Sequence, residues 1–349
     1  GLSHGILRRG GSAVGERLGW GILSTGNIAR QLASGVLDSR RGTLAAVGSR
    51  DPAAASAFAG EFRIPRHFGS YDEILRCREV DVVYVALPNS MHHEWTMAAL
   101  RAGKHVLCEK PLASNVEQAN DMFDAAGRAG RVLMEAFMYR SHPQTLAVMD
   151  AVRGGAIGEL KLIRTSFCYY TRRIEGNIRF SRELAGGGLM DVGCYCISFS
   201  RLLTGAEPTD VAVTGTVHES GVDDLAAGTL EFPDGVVASF TCGMRVQADN
   251  TAYVCGSEGY IEVPVPWKPP KENATFTIAR STPPRMDAAG RAGPAPPPRE
   301  QRVVSAGRDL YAVETDDFAA AVLDGQPCRV TRQDSIGNMV VLDLSLIHI

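Results

Sequence analysis

The run Leu18-Gly19-Trp20-Gly21-Ile22-Leu23-Ser24-Thr25-Gly26-Asn27-Ile28-Ala29 limits what this chain can fold into more than any other stretch. An apolar strand feeds a tight turn and then a helix. Set against the spacing G-x-G-x-x-G/A, the key positions are Ser24, Gly26 and Ala29, with serine in place of the first glycine. Gly26, with Thr25 beside it, leaves room for a pyrophosphate to approach the backbone. Asn27 and Ile28 open the helix, whose N-terminal N–H groups can hold phosphate. The motif alone is weak, and its place between a strand and a helix is what makes it a dinucleotide loop. A plain strand–turn–helix of another α/β fold is the alternative.

The surrounding pattern fits that loop. Leu18–Leu23, Leu44–Gly48, Val80–Leu87, His105–Cys108 and Val132–Met134 read as strands. Ala53–Phe62, Tyr71–Leu75 and Trp95–Ala102 read as helices between them. Alternation of this kind predicts an α/β fold with a doubly wound parallel sheet, a Rossmann domain over 18–139. Short, continuously apolar strands suit a sheet buried on both faces. The second strand ends Gly48-Ser49-Arg50-Asp51. An acid there suits the ribose 2′-OH of NAD, and arginine suits the 2′-phosphate of NADP. Ser49 and Arg50 favour NADP, with NAD still possible; Asp51 is either a ribose acceptor or a helix N-cap.

Beyond about residue 140 the texture changes. Leu160–Tyr170, Val211–Val217, Ala226–Phe232, Val236–Cys242 and Ala252–Cys255 read as consecutive strands, with a hairpin at Phe232-Pro233-Asp234-Gly235. This predicts an α+β domain over 140–349 on a large, mostly antiparallel open sheet, for substrate and dimerisation. Residues 264–302 hold ten of the eighteen prolines and read as a poorly structured surface excursion. Helical patterns return at Tyr311–Leu323 and near Arg332–Leu344. The uncapped end after Leu344 suggests a truncation or a foreign tail. Residues 1–17 read as a disordered leader, with a targeting peptide as the alternative.

Composition narrows the partners. The net charge is −3 with no block of like charges, and no apolar run reaches membrane-spanning length. Neither nucleic acid nor a membrane is expected as a partner. The eight cysteines form neither a CxxC pair nor a Cys/His zinc spacing. They read as reduced thiols in a cytoplasmic protein, with no metal site.

Three further motifs carry a resemblance. They are Asp81-Val82-Val83-Tyr84-Val85-Ala86-Leu87-Pro88-Asn89 followed by His92, Lys104-His105-Val106-Leu107-Cys108-Glu109-Lys110-Pro111, and Gly186-Gly187-Gly188-Leu189-Met190-Asp191-Val192-Gly193-Cys194-Tyr195. Over about 18–345 the chain resembles the Gfo/Idh/MocA family of oxidoreductases. Met134-Glu135-Ala136-Phe137-Met138-Tyr139-Arg140 and Tyr195 are similar to the branch of NADP-type D-xylose dehydrogenases and dimeric dihydrodiol dehydrogenases. Many family members carry histidine at the Tyr195 position, which weakens an inositol dehydrogenase reading.

The chemistry asks for a base at the substrate hydroxyl and a cation beside it, because tyrosine's ordinary pKa is about 10. Lys110 follows a parallel strand, where ligands bind in open α/β sheets. Asp191 and Tyr195, four apart, share a helix face. Tyr195 is therefore expected as general acid/base, Lys110 as its electrostatic partner and Asp191 as orienting or proton-sharing group. The resemblance implies cofactor contacts from Ser24, Thr25, Gly26, Asn27, Ile28, Ser49, Arg50, Tyr71, Leu87, Pro88, Asn89, His92, Glu109 and Lys110. His92 is equally readable as a solvated helix start. Substrate contacts are expected from Tyr139, Arg179, Phe180, Asp191 and Tyr195, with Arg140 and His142 beside the cleft. Arg179 alternatively pairs with Glu183.

The implied activity is NADP-dependent hydride transfer with a cyclic sugar or polyol hydroxyl, foremost D-xylose at C1. A trans-dihydrodiol and a keto-sugar of the anhydrofructose type are rival substrates. A dinucleotide-sensing regulator of the same fold is the non-enzymatic alternative, and a glycosidase using bound NAD transiently is a third. The open sheet face and the resemblance imply a homodimer or homotetramer.

Overall fold

The computed structural model describes residues 16–280, 286–291, 293 and 299–349. Nearly all of the expected leader and part of the proline-rich stretch lie outside them.

The first half alternates as expected: β1 (Leu18–Leu23), α1 (Asn27–Asp38), β2 (Gly42–Gly48), α2 (Pro52–Phe62), β3 (Arg66–Phe68), α3 (Tyr71–Arg76), β4 (Val82–Val85), α4 (His92–Arg101), β5 (His105–Glu109), α5 (Val116–Ala129) and β6 (Leu133–Ala136). The strands form one parallel sheet in the order β3-β2-β1-β4-β5-β6. β1 and β4 are wholly buried, as strands covered by helices on both faces must be. The strand order reverses between β1 and β4, so a crevice opens at their C-terminal ends. β3 went unread because it is a three-residue edge strand with Arg66 and His67 exposed and no apolar run. The Val80–Leu87 run forms only β4, since Ala86-Leu87-Pro88 leave the sheet to line the crevice.

The second half contains α6 (Pro143–Arg153), β7 (Leu160–Cys168), α7 (Cys194–Thr204), β8 (Asp210–Val217), β9 (Asp223–Glu231), β10 (Val237–Gly243), β11 (Ala252–Gly256), β12 (Gly259–Val263), β13 (Ala274–Arg280), β14 (Glu300–Val304), α8 (Leu310–Asp324) and α9 (Arg332–Ile347). Its eight strands run β14-β13-β12-β11-β7-β10-β9-β8, antiparallel except for the β7/β10 pair. The β9–β10 turn is where it was expected, with Asp234 and Gly235 at φ 63° and 75°. The proline-rich stretch is not simply an excursion, because β13 and the start of β14 lie within it.

One face of this sheet packs under α7 and α9, burying Ile163, Ala226, Leu230, Ala238 and Val254. The other face is open: Tyr253, Arg164, Ser239 and Thr229 stand side by side across it, with Arg164 stacked over Tyr253. α8 returns to pack on α1, and α9 on α5, so the C-terminal helices clasp the first sheet's layers. Among the described residues no helix is long and apolar enough to cross a membrane.

Candidate active site

A cleft of about 750 Å³ lies over the C-terminal edge of the first sheet and is closed from above by β7 and the loop before α7. On one side, Ser24 holds φ 115°, a backbone state that favours glycine, and its Oγ accepts from Gly26 N at 3.0 Å. Serine thus keeps the glycine geometry of the fingerprint and locks the turn. Thr25 lies within it. Gly26 is the N-cap of α1 and supplies no side-chain cap, and Asn27 and Ile28 line the cleft. The first amides of a twelve-residue helix therefore open onto the cleft without a capping side chain, the arrangement that takes a pyrophosphate. The residues present fit a dinucleotide.

Asp51 caps α2, accepting from Ala53 N at 2.9 Å and Ala54 N at 3.3 Å. Its carboxylate is engaged by the helix, which leaves Ser49 and Arg50 as the polar groups at the tip of β2. The Arg50 charge acts on the Tyr71 hydroxyl, whose ring packs edge-on against Trp95. Leu87, Pro88 and Asn89 line the cleft, and Asn89 Nδ2 donates to Ala185 O at 2.8 Å, tying the two sides together.

His92 is not a solvated helix start, and it does not line the cleft. It is fully buried, with Nδ1 2.8 Å from Pro111 O and Nε2 2.9 Å from Leu87 O, so it braces the two cleft loops from beneath. Glu109 is buried, accepts from the Tyr84 hydroxyl and lines the cleft. Burial pushes its carboxyl up against the opposing pull of Lys110.

Lys110 and Asp191 meet in the cleft. Lys110 Nζ donates to Asp191 O at 2.6 Å and lies 3.4 Å from Asp191 Oδ1. Asp191 Oδ2 also accepts from the Tyr169 hydroxyl at 2.5 Å and from Arg179 Nε at 3.1 Å. Burial raises the Asp191 carboxyl, but the Lys110 and Arg179 charges outweigh it and hold the pKa below the ordinary value. Burial likewise lowers Lys110, and the Asp191, Cys194 and Glu109 charges together more than reverse this. At neutral pH the site holds an ammonium and a carboxylate.

Asp191 sits on a π-helical turn, Leu189–Gly193, that runs into α7. Its approach depends on Gly187, at φ 111°, where a Cβ would overlap the Asp223 carboxylate. Asp223 in turn accepts from Leu189 N at 2.7 Å.

Tyr195 lines the cleft, but its pairing with Lys110 differs from expectation. The ammonium lies over the ring, 5.0 Å from the centroid, while the hydroxyl donates to Met138 Sδ at 3.4 Å. Burial holds the phenol well above its ordinary pKa.

Arg179 pairs with Asp191 and not with Glu183. Phe180 and Tyr139 are not cleft residues. Phe180 fills a small core with Val222 and Met244, and Tyr139 is wholly buried, its hydroxyl donating to Ser198 at 2.8 Å. Arg140 pairs with Asp334 beside a second hollow behind α7, and His142 caps α6. The loop after β6 dives into the core, which its sequence did not reveal.

Sequence reasoning missed Tyr169, Lys268 and the Tyr311–Gln31 pair, joined at 2.7 Å, all of which line the cleft. Tyr169 reads as part of the strand run Leu160–Tyr170 and carries no signal of its own; β7 ends one residue before it. Among the described residues no group of three or more His, Cys, Asp or Glu is placed to hold a metal ion.

An open helix N-terminus facing a lysine–aspartate pair across a switch-point cleft defines a nicotinamide-dependent oxidoreductase. Residues 18–137 match the oxidoreductase family with NAD-binding Rossmann fold, and residues 145–262 match the GFO/IDH/MocA C-terminal domain. The chain belongs to the Gfo/Idh/MocA family. It is 37% identical over 255 residues to trans-1,2-dihydrobenzene-1,2-diol dehydrogenase of Mus musculus, covering 72% of this chain and 76% of that one. It is 33% identical over 327 residues to D-xylose 1-dehydrogenase (NADP(+)) 2 of Haloferax volcanii, covering 93% and 95%. A 3-ketoreductase from Actinomadura kijaniata, solved with NADP and TDP-benzene, superposes with a TM-score of 0.83 at 31% identity, over 95% of this chain and 98% of that one.

Proposed function

We propose that the protein transfers hydride between NADP and a carbon bearing a hydroxyl in a cyclic sugar or polyol, with an aldopyranose such as D-xylose, oxidised at C1, as the first candidate. The observation that carries this reading is the Lys110–Asp191 pair, held in the same cleft as the uncapped start of α1. The commitment of Asp51 to α2, with Arg50 beside it, favours NADP over NAD. The names of the relatives support both the cofactor and the substrate class. A trans-dihydrodiol asks for the same chemistry. A purely sensing protein has no use for the lysine–aspartate–tyrosine set.

NADP, when bound, gives or takes the hydride. Lys110 stays an ammonium and stabilises charge on the reacting oxygen, since Asp191 keeps it protonated. Asp191 fixes that ammonium and is itself fixed by Tyr169 and Arg179. Tyr195 carries the proton: its buried phenol is held protonated and is the donor for carbonyl reduction, while in the oxidative direction the phenol must first lose its proton, and the cation over its ring stabilises the phenolate that then takes the substrate's proton. A thioether is a weak acceptor, so the Tyr195 O–H turns from Met138 to substrate at little cost. Tyr195→Phe is expected to lower kcat by about a hundredfold or more with NADP binding intact, and Tyr169→Phe by less. The larger loss in Tyr169→Phe would move the proton carrier to the Tyr169–Asp191 pair.

The free thiols of all eight cysteines favour a reducing, cytoplasmic setting. The open sheet face favours a homodimer or homotetramer.

A further inference from the structure

Lys268 stands apart from the other cations of the cleft. Lys110 and Arg179 share the Asp191 carboxylate, whereas Lys268 has no ion-pair partner among the described residues. It lines the cleft and remains exposed at its mouth. The segment that presents it is pinned at three points. Gln144 Nε2 donates to Val265 O at 3.0 Å, Trp267 Nε1 donates to Ser166 O at 2.8 Å, and His142 Nε2 lies 3.1 Å from Pro270 O. Trp267 is stacked on Phe167 with centroids 5.7 Å apart, and Pro266 and Pro269 are buried. A strap built of Pro266-Trp267-Lys268-Pro269-Pro270 has little freedom, so Lys268 is held over the cleft with little conformational entropy left to lose on binding.

The surrounding charge points the same way. Partial burial and the nearby Lys110 charge push the Lys268 ammonium down from its ordinary pKa, against the opposing pull of Glu109 and Asp191, so an anion paired directly with Lys268 restores charge balance that the more distant carboxylates do not. In the stretch 171–184, several of whose residues line the cleft, Arg172, Arg173 and Arg182 are exposed and without ion-pair partners among the described residues, against Glu175 and Glu183. A neutral sugar leaves Lys268 without a direct ion-pair partner.

We propose that Lys268 is a specificity-determining residue that receives an anionic substituent, carboxylate or phosphoryl, carried by the sugar away from the reacting carbon. This rests on the sugar reading of the site and sharpens it from aldopyranoses in general to acidic ones.

The test is calorimetric binding of D-glucose, D-glucuronate and D-glucose 6-phosphate to the NADP-loaded protein, in wild type, Lys268→Met and Lys268→Arg. Binding does not require turnover, so a failure of hydride transfer does not decide the outcome. One or both charged sugars are expected to bind about tenfold more tightly than D-glucose. That preference is expected to vanish in Lys268→Met and return in Lys268→Arg. Which charged sugar gains tells a carboxylate site from a phosphoryl site. Equal binding of charged and neutral sugars, a preference that survives in Lys268→Met, or a loss confined to NADP affinity would overturn the proposal.

Discussion

At Glu135 the fold places a carboxyl on β6 almost wholly out of water. Oε1 accepts from Leu112 N at 2.9 Å, while Oε2 and the Ser335 hydroxyl lack hydrogen-bond partners among the described residues. Burial raises this carboxyl from 4.5 to about 7. In that interval the folded state binds a proton that the unfolded chain has released, so stability falls as pH rises from about 4.5 to about 7 and levels off above. The deficit reaches on the order of 3 kcal/mol. Glu135→Gln keeps the acceptor for Leu112 N and has no charge to desolvate. Its denaturant midpoint is expected to exceed that of wild type above the window and to match it below. A difference independent of pH would show that desolvation of the charged carboxylate is not the cause. Asp191 works in the opposite sense: its depressed pKa stabilises the fold above the ordinary carboxyl range and is lost only as pH falls through the folded value.

The element on which the site hangs is the glycine-rich approach to the π-helical turn. At Gly187 the backbone is in the left-handed region and the Asp223 carboxylate occupies the space of a Cβ. Gly187→Ala is expected to destabilise the protein by about 1–3 kcal/mol in denaturant unfolding and to lower kcat by displacing Asp191. Unchanged stability would show that the close approach is dispensable. This element was legible in sequence, as were the dinucleotide loop and Lys110, because each is a local motif whose residues act near where they are written. Tyr169 and Lys268 were not, because they reach the cleft through non-local packing: Tyr169 meets a residue 22 positions away, and Lys268 lies in a stretch whose prolines read as unstructured. Tyr139 and Phe180 show the converse error. Each follows or occupies a loop at the right edge of its sheet, but its side chain turns into the core, and nothing in the residue type distinguishes a cleft aromatic from a core one.

On the scale of the whole molecule, two sheets share the work: one offers the helix N-terminus to a dinucleotide, the other lowers Asp191, Arg179 and Lys268 onto the facing edge. The same second sheet leaves one face open, with Arg164, Ser239 and Thr229 ranged across it. Light scattering at micromolar concentration is expected to give at least a dimer, and replacing Ser239 and Thr229 by glutamate to shift it towards monomer. A wild-type monomer would leave that face without its proposed role.

The most direct measurement is the growth of reduced-nicotinamide absorbance with NADP or NAD and a panel of D-xylose, D-glucose, D-glucuronate, D-glucose 6-phosphate and trans-dihydrobenzenediol, in wild type and Lys110→Ala. Expected is reduction of NADP, in preference to NAD, by at least one sugar or diol, abolished in Lys110→Ala. Tight binding of either dinucleotide with no reduction by any member of the panel, or turnover that survives Lys110→Ala, would contradict the assignment of this cleft to hydride transfer.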